Sequence, residues 1–149
     1  MRYLIDLRWS QADSPHYALC TESIDGLLMD GHNLCICAQV LIEFRCVATR
    51  PRDVNGLGIS ASDMRILTRY AKDMFTCLSE LPDMADRWEL VVDKYSVIGK
   101  QVHDARIAAL MIAHGVTHLL TLNPRDFACY QEITAVTPQE LLSRRNLPL

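Results

Sequence analysis

The sequence predicts an α/β fold built on a central, mainly parallel sheet of about five strands, and three observations predict it. Apolar runs of four to six residues, such as "NLCIC" at 33–37 and "THLLTL" at 117–122, alternate with longer stretches of helical periodicity. Helix start and stop signals fall between those runs. With 149 residues, 50% of them hydrophobic and 22% charged, the chain has the composition of one compact domain. At this length a single core buries roughly two-thirds of the unfolded surface.

The first strand covers roughly residues 2–6 and ends in Asp6. Asp13-Ser14-Pro15 then supplies an N-cap and an early proline, opening a helix that reaches about Asp30, where Gly31 stops it. "NLCIC" is the second strand. Behind it, "AQVLIEFRCVAT" (38–49) places Val40, Leu41, Phe44, Val47 and Ala48 on one helical face and ends before Pro51. The turn formers of "PRDVNGLG" (51–58) make a loop. Ser60 with Asp63 resembles a capping box and starts a helix to about Met74. A short strand near 75–79 follows, and then a helix capped by Asp83 that runs to about Tyr95. Another helix begins near Gln101 and ends at Gly115; "THLLTL" and "ITAVT" (133–137) are the last two strands. Thr137-Pro138-Gln139-Glu140 is a capping box with proline at the first helical position, so a short helix closes the chain.

Composition narrows the function. A net charge of −3 argues against a surface built for nonspecific polyanion binding, while leaving room for local basic patches around Arg45, Arg50 and Arg52, around Lys100 and Arg106, and at Arg125. The longest apolar stretch, from Ile107, is broken by His and Gly and falls short of the ~20 residues that span a bilayer. Arg2 and Asp6 interrupt anything resembling a signal peptide, so the expectation is a cytoplasmic protein without a membrane partner. The six cysteines form no C-x-x-C pair and read as buried, reduced thiols, with zinc the lesser reading.

In an open parallel sheet, sites form beyond the carboxyl ends of the strands. Asp6 ends the first strand, and Glu43 lies in the second turn of the helix after the second strand. Asn123 and Asp126 follow the fourth strand, and Asp104 sits in the first turn of the helix that leads into it. A crossover helix runs antiparallel to its strands, so its start also lies on the carboxyl edge. Taken singly, Asp104 could serve only the helix dipole, Glu43 only a solvated face, and Asp126 only a turn. Their shared rim argues for a joint role.

Clustered carboxylates repel one another unless a cation sits between them. Oxygen donors suit Mg²⁺ or Mn²⁺ better than zinc, and such an ion can activate water and neutralise a phosphodiester under attack. The implied chemistry is metal-dependent phosphodiester hydrolysis. His103 is a weak candidate for general base, because adjacent helical residues point about 100° apart. No G-x-S-x-G, Cys/His signature or Gly-rich phosphate loop offers a rival mechanism.

"MRYLID", "CAQVLIEFRCVATRP", "NGLG", "GKQVHDARIAALMIAHGVTHLLTLNPRDF" and "TPQELL" together resemble the PIN domain family, in its VapC-like toxin branch, over nearly the whole chain. The resemblance implies a three-layer α/β/α sandwich, often dimeric, with an acidic pocket that binds Mg²⁺ or Mn²⁺ and cuts single-stranded RNA. Asp6, Glu43 and Asp104 match three family acids. The fourth position falls in "NPRDF", where Asp126 is the expected ligand and Asn123 a neutral helper. A small antitoxin that covers the pocket is the partner the resemblance suggests, beside the RNA substrate.

One departure bears on activity. The family usually follows its first aspartate with a small hydroxyl residue and then Asn or Ser, whereas Leu7 and Arg8 stand here. A guanidinium near the carboxylates could pair with them and compete with the metal. Two readings follow. In the first, the chain is an active endoribonuclease whose Arg45 and Arg125 steer RNA; in the second it is a weakened or inactive RNA- or protein-binding module, with Arg8 in the cation's place.

Overall fold

The computed structural model describes residues 1–7 and 17–146. Its strands are β1 (Arg2–Ile5), β2 (Asn33–Cys37), β3 (Thr76–Leu78), β4 (His118–Leu120) and β5 (Thr134–Val136). They form one sheet in the order β3-β2-β1-β4-β5, and all four pairings are parallel. The helices are α1 (Tyr17–Met29), α2 (Ala38–Thr49), α3 (Ala61–Met74), α4 (Met84–Tyr95), α5 (Gln101–His114) and α6 (Pro138–Arg145). Right-handed crossovers place α1, α2 and α3 on one face of the sheet and α4 and α5 on the other. α6 packs on α1, α3 on α2 and α5 on α4, which completes the three layers.

The central strands carry apolar residues on both faces because both faces are covered. Leu4, Ile5, Ile36 and Leu120 are fully buried, and each such side chain contributes about 1.5–3 kcal/mol on leaving water. From the helical layers, Val40, Met64 and Met111 meet them, also without exposure. β3 is short and on the sheet edge, and there Thr76 and Cys77 are exposed.

The helix signals act much as read. Thr137 Oγ1 accepts from the Glu140 N–H at 3.2 Å while Glu140 Oε2 accepts from the Thr137 N–H at 2.8 Å, a reciprocal capping box. Ser60 Oγ accepts from the Asp63 N–H at 3.1 Å. Gly115 takes φ 66° at the end of α5, the left-handed conformation that closes a helix.

Three details differ from the sequence reading. Asp83 occupies the N-cap position of α4 at φ −98°, ψ 24°, outside the extended region from which a side chain reaches back to the first turn. Its carboxylate instead accepts from Arg87 Nε at 2.9 Å, a charge-assisted bond one turn along. Only Cys20, Cys35 and Cys37 are buried; Cys46, Cys77 and Cys129 are exposed, and all six are free thiols. β1 ends at Ile5 rather than Asp6. The cap expected at Asp13 lies outside the described residues.

Candidate active site

The strand order reverses between β1 and β4. From β1 the chain adds β2 and β3 on one side, then crosses back to add β4 and β5 on the other. At such a reversal the connections diverge and leave a crevice at the carboxyl ends of the two strands. Asp6 follows β1 and Thr121 follows β4, so the two residues flank it.

Parallel pairing continues for one bond beyond each strand. The Asp6 N–H donates to Leu120 O at 3.0 Å, and the Thr121 N–H donates to Val136 O at 3.0 Å. These bonds fix both backbones and bring the two side chains together. Thr121 Oγ1 donates to Asp6 Oδ2 at 2.9 Å, and accepts from the Asn123 N–H at 3.1 Å. Asp6 is 3% exposed and Thr121 0%, so the carboxylate is oriented by a hydroxyl that water cannot replace.

Glu43 reaches the rim from α2. Gln39, one turn earlier, donates through Nε2 to Glu43 Oε1 at 3.0 Å and to His103 O at 2.8 Å. Its Oε1 accepts from Arg106 Nη1 at 3.2 Å, and Arg106 Nη2 also pairs with Glu80 at 2.8 Å. Gln39 thus ties the start of α2 to the start of α5, where Asp104 lies half-buried in the first turn. The field of Asp104 reaches Tyr130: burial pushes that phenol well above its ordinary range, and Cys129 and then Asp104 push it further.

Asn123, Arg125 and Asp126 lie together just past β4. Pro124–Phe127 forms a 3-10 turn in which the Asp126 N–H donates to Asn123 O at 3.2 Å, and the turn packs on α5. Asp126 is half-buried; Asn123 and Arg125 are exposed. Arg45 is exposed on α2, two residues and so about 200° around the helix from Glu43. Arg8 lies outside the described residues. Thr121 and Gln39 are the site residues that the sequence reading missed; "LTLNPRDF" carries the threonine in plain view, but its partner emerges only when β4 is known to lie beside β1.

The two buried thiols on this side of the sheet are held neutral. Burial pushes Cys20 up to about 11, with the Asp6 charge adding to the effect. Burial also pushes Cys37 up to about 11, against the lowering effect of backbone N–H bonds from Val40 and Gln39.

Oxygen donors suit a hard divalent ion, and a carboxylate fixed at Asp6 is a ready first ligand. Among the described residues, no three His, Cys, Asp or Glu side chains are grouped closely enough to hold one ion between them. The arrangement therefore fits an ion bound through one or two carboxylates with water in its other positions, as Mg²⁺ is commonly held.

A parallel α/β/α sandwich with a fixed, buried carboxylate at its strand reversal puts the candidate site on the carboxyl edge of the sheet. The sequence profile of the PIN domain family matches residues 4–132, and the chain belongs to that family. Solved structures share the fold. A chain of VapBC2 from Rickettsia felis, bound to a DNA fragment from the promoter, superposes with a TM-score of 0.68 at 14% identity, covering 92% of this chain and 98% of that one. VapBC-1 from nontypeable Haemophilus influenzae gives 0.67 at 14%, over 93% and 99%. PAE2754 from Pyrobaculum aerophilum gives 0.59 at 19%, over 97% and 94%. No curated protein matches the sequence.

Proposed function

We propose that the chain is a metal-dependent endoribonuclease of the VapC-like toxin type. PIN domains are generally nucleases, and the observation that carries the reading here is Asp6, buried at the strand reversal and oriented by Thr121. Asp6 with Glu43 or Asp104 would hold Mg²⁺ or Mn²⁺, and Asp126 would complete the acidic rim; when bound, the ion supplies activated water and offsets charge on the phosphodiester. Gln39 sets the Glu43 carboxylate, Thr121 sets Asp6, and the exposed Arg125 attracts the RNA backbone, while Arg45, turned away from Glu43 around α2, could meet RNA only outside the rim. Asn123, exposed just past β4, would be a neutral helper to these acids.

Two similar structures are VapBC assemblies, which supports a small antitoxin as partner. We propose a cytoplasmic homodimer as the working form; among the described residues, no helix is long and apolar enough to cross a membrane.

The second reading, a weakened or inactive module, draws on Leu7 and Arg8, which stand where the family usually has a small hydroxyl residue and then Asn or Ser. Calorimetric titration with Mn²⁺, run alongside cleavage of single-stranded RNA, separates the two. Mn²⁺ binding and cleavage that are both lost in Asp104→Asn support the nuclease. Mn²⁺ binding that is absent until Arg8→Asn is introduced refutes it in favour of the module.

A further inference from the structure

Beside the carboxylate rim, α4 and the start of α5 line a cleft of about 580 Å³ formed by Met84, Ala85, Trp88, Val102, His103 and Arg106. Its size is that of a small-molecule site, for which ~300–1,000 Å³ is usual. The cleft shares residues with the carboxylate rim. His103 precedes Asp104, and Arg106 is bonded to the same Gln39 that holds Glu43.

The lining is chemically uneven. Met84 and Val102 give an apolar wall, Trp88 presents a half-buried indole, and His103 and Arg106 bring polar groups to the same opening, with the Arg106 guanidinium paired to Glu80 at 2.8 Å. The indole is locked in place: Trp88 Nε1 donates to Val102 O at 2.7 Å, across the junction between the two helices. A fixed aromatic face at an opening beside the carboxylate rim matches a flat, stackable ring, which is the chemistry of a nucleobase.

We infer that this cleft is a base-stacking subsite, in which Trp88 holds one nucleobase of a single-stranded RNA whose backbone continues to the carboxylate rim. The inference rests on the nuclease reading and extends it: the site grips a base that flanks the bond being cut.

The test is equilibrium binding without divalent metal. In a Trp9→Phe background Trp88 is the sole tryptophan, and a ten-nucleotide single-stranded RNA titrated in EDTA should quench its fluorescence saturably. An otherwise identical oligonucleotide with abasic positions should not quench. Trp88→Leu should weaken RNA binding about 5- to 150-fold, the range of one base–aromatic stack, and Trp88→Phe should recover most of that loss. Equal quenching by the abasic oligonucleotide overturns the inference, as does unchanged affinity in Trp88→Leu while RNA is still cleaved. Unchanged affinity accompanied by a smaller sedimentation coefficient in Trp88→Leu would instead assign the cleft to a second copy of the chain. If the parent chain neither binds nor cuts RNA, the nuclease reading fails with it.

Discussion

Thr121→Val tests the device that orients the candidate active site. The side chains are nearly isosteric, so the change removes a hydroxyl with little change of shape. A hydrogen bond to a charged group contributes about 1.5–3 kcal/mol, and one to a neutral backbone amide about 0.5–1.5 kcal/mol. Thr121 makes one of each, to Asp6 Oδ2 at 2.9 Å and from the Asn123 N–H at 3.1 Å. The methyl that replaces the hydroxyl returns about 0.8 kcal/mol of burial. The net loss is roughly 1–4 kcal/mol, centred near 2.5, or a fall in Tm of ~5–10 °C for a domain of this size. Urea unfolding at pH 7 measures it. Thr121→Ser is the control: it keeps both bonds and loses one buried methyl, for about 1 kcal/mol. The expected order is wild type, then Ser, then Val, with RNA cleavage following the hydroxyl rather than the stability. A valine variant within ~0.5 kcal/mol of wild type, or one more stable than the serine variant, refutes the claim that this hydroxyl holds Asp6. A double-mutant cycle with Asp6→Asn should show a coupling of at least ~1 kcal/mol.

Further predictions concern pH and backbone. Glu132 accepts from Lys94 at 2.6 Å and also from the Tyr95 hydroxyl, and these bonds hold its carboxyl down to about 2 from an ordinary 4.5. Because the native pKa is depressed, this contribution is present above pH 4.5 and fades as pH falls toward 2. The pair is exposed and screened by solvent, so the effect is small, and urea midpoints across that window should flatten in Glu132→Gln. At the amino end of β4, His118 rests against Tyr3, with ring centroids 5.0 Å apart; burial, then Arg144, His32 and the amino terminus, keep its pKa below 6.5. The unfolded chain therefore takes up this proton first, so stability should decline as pH drops below 6.5, and the matching part of that slope should vanish in His118→Phe. Two glycines should respond differently to alanine. Gly115 at φ 66° has no atom within 4 Å of a new Cβ, so Gly115→Ala costs only the left-handed conformation, about 1–2 kcal/mol. In Gly56→Ala the Cβ would stand 1.9 Å from Arg50 O, and thermal melts should place this variant well below Gly115→Ala.

The fold was legible because its signals are local. Each strand is an apolar run bounded by turn formers, and each helix from α2 onward is announced by a cap, a proline or a closing glycine, as at Thr137, Pro138 and Gly115. Where a local signal failed, a stronger partner had taken the side chain: Asp83 had the composition of a cap, yet Arg87 one turn along offers it a full charge. Cysteine exposure was misread for a related reason. Burial follows the face a residue occupies rather than its type, and Cys46 and Cys77 fall on the outside of α2 and on an edge strand.

The site was legible only in part, because its acids are placed by topology but oriented by contacts between distant segments. That Asp6, Glu43, Asp104 and Asp126 belong to the carboxyl edge follows from which element each one begins or ends. That Asp6 is held by Thr121 does not, since 115 positions separate them and the contact depends on β4 pairing with β1. The same holds for Gln39, which reads as one more polar residue of an amphipathic helix yet bonds Glu43, His103 and Arg106 together. Neutral hydroxyls and amides carry no charge pattern that would mark them in a sequence, yet here they decide where two of the carboxylates point. The positioning groups of this rim should therefore tolerate substitution least where the replacement keeps the shape and removes the hydrogen bond. Gln39→Met makes that prediction for Glu43 as Thr121→Val does for Asp6: it should weaken Mn²⁺ binding in titration while leaving the helical signal in circular dichroism unchanged, and undiminished Mn²⁺ binding would detach Gln39 from the site.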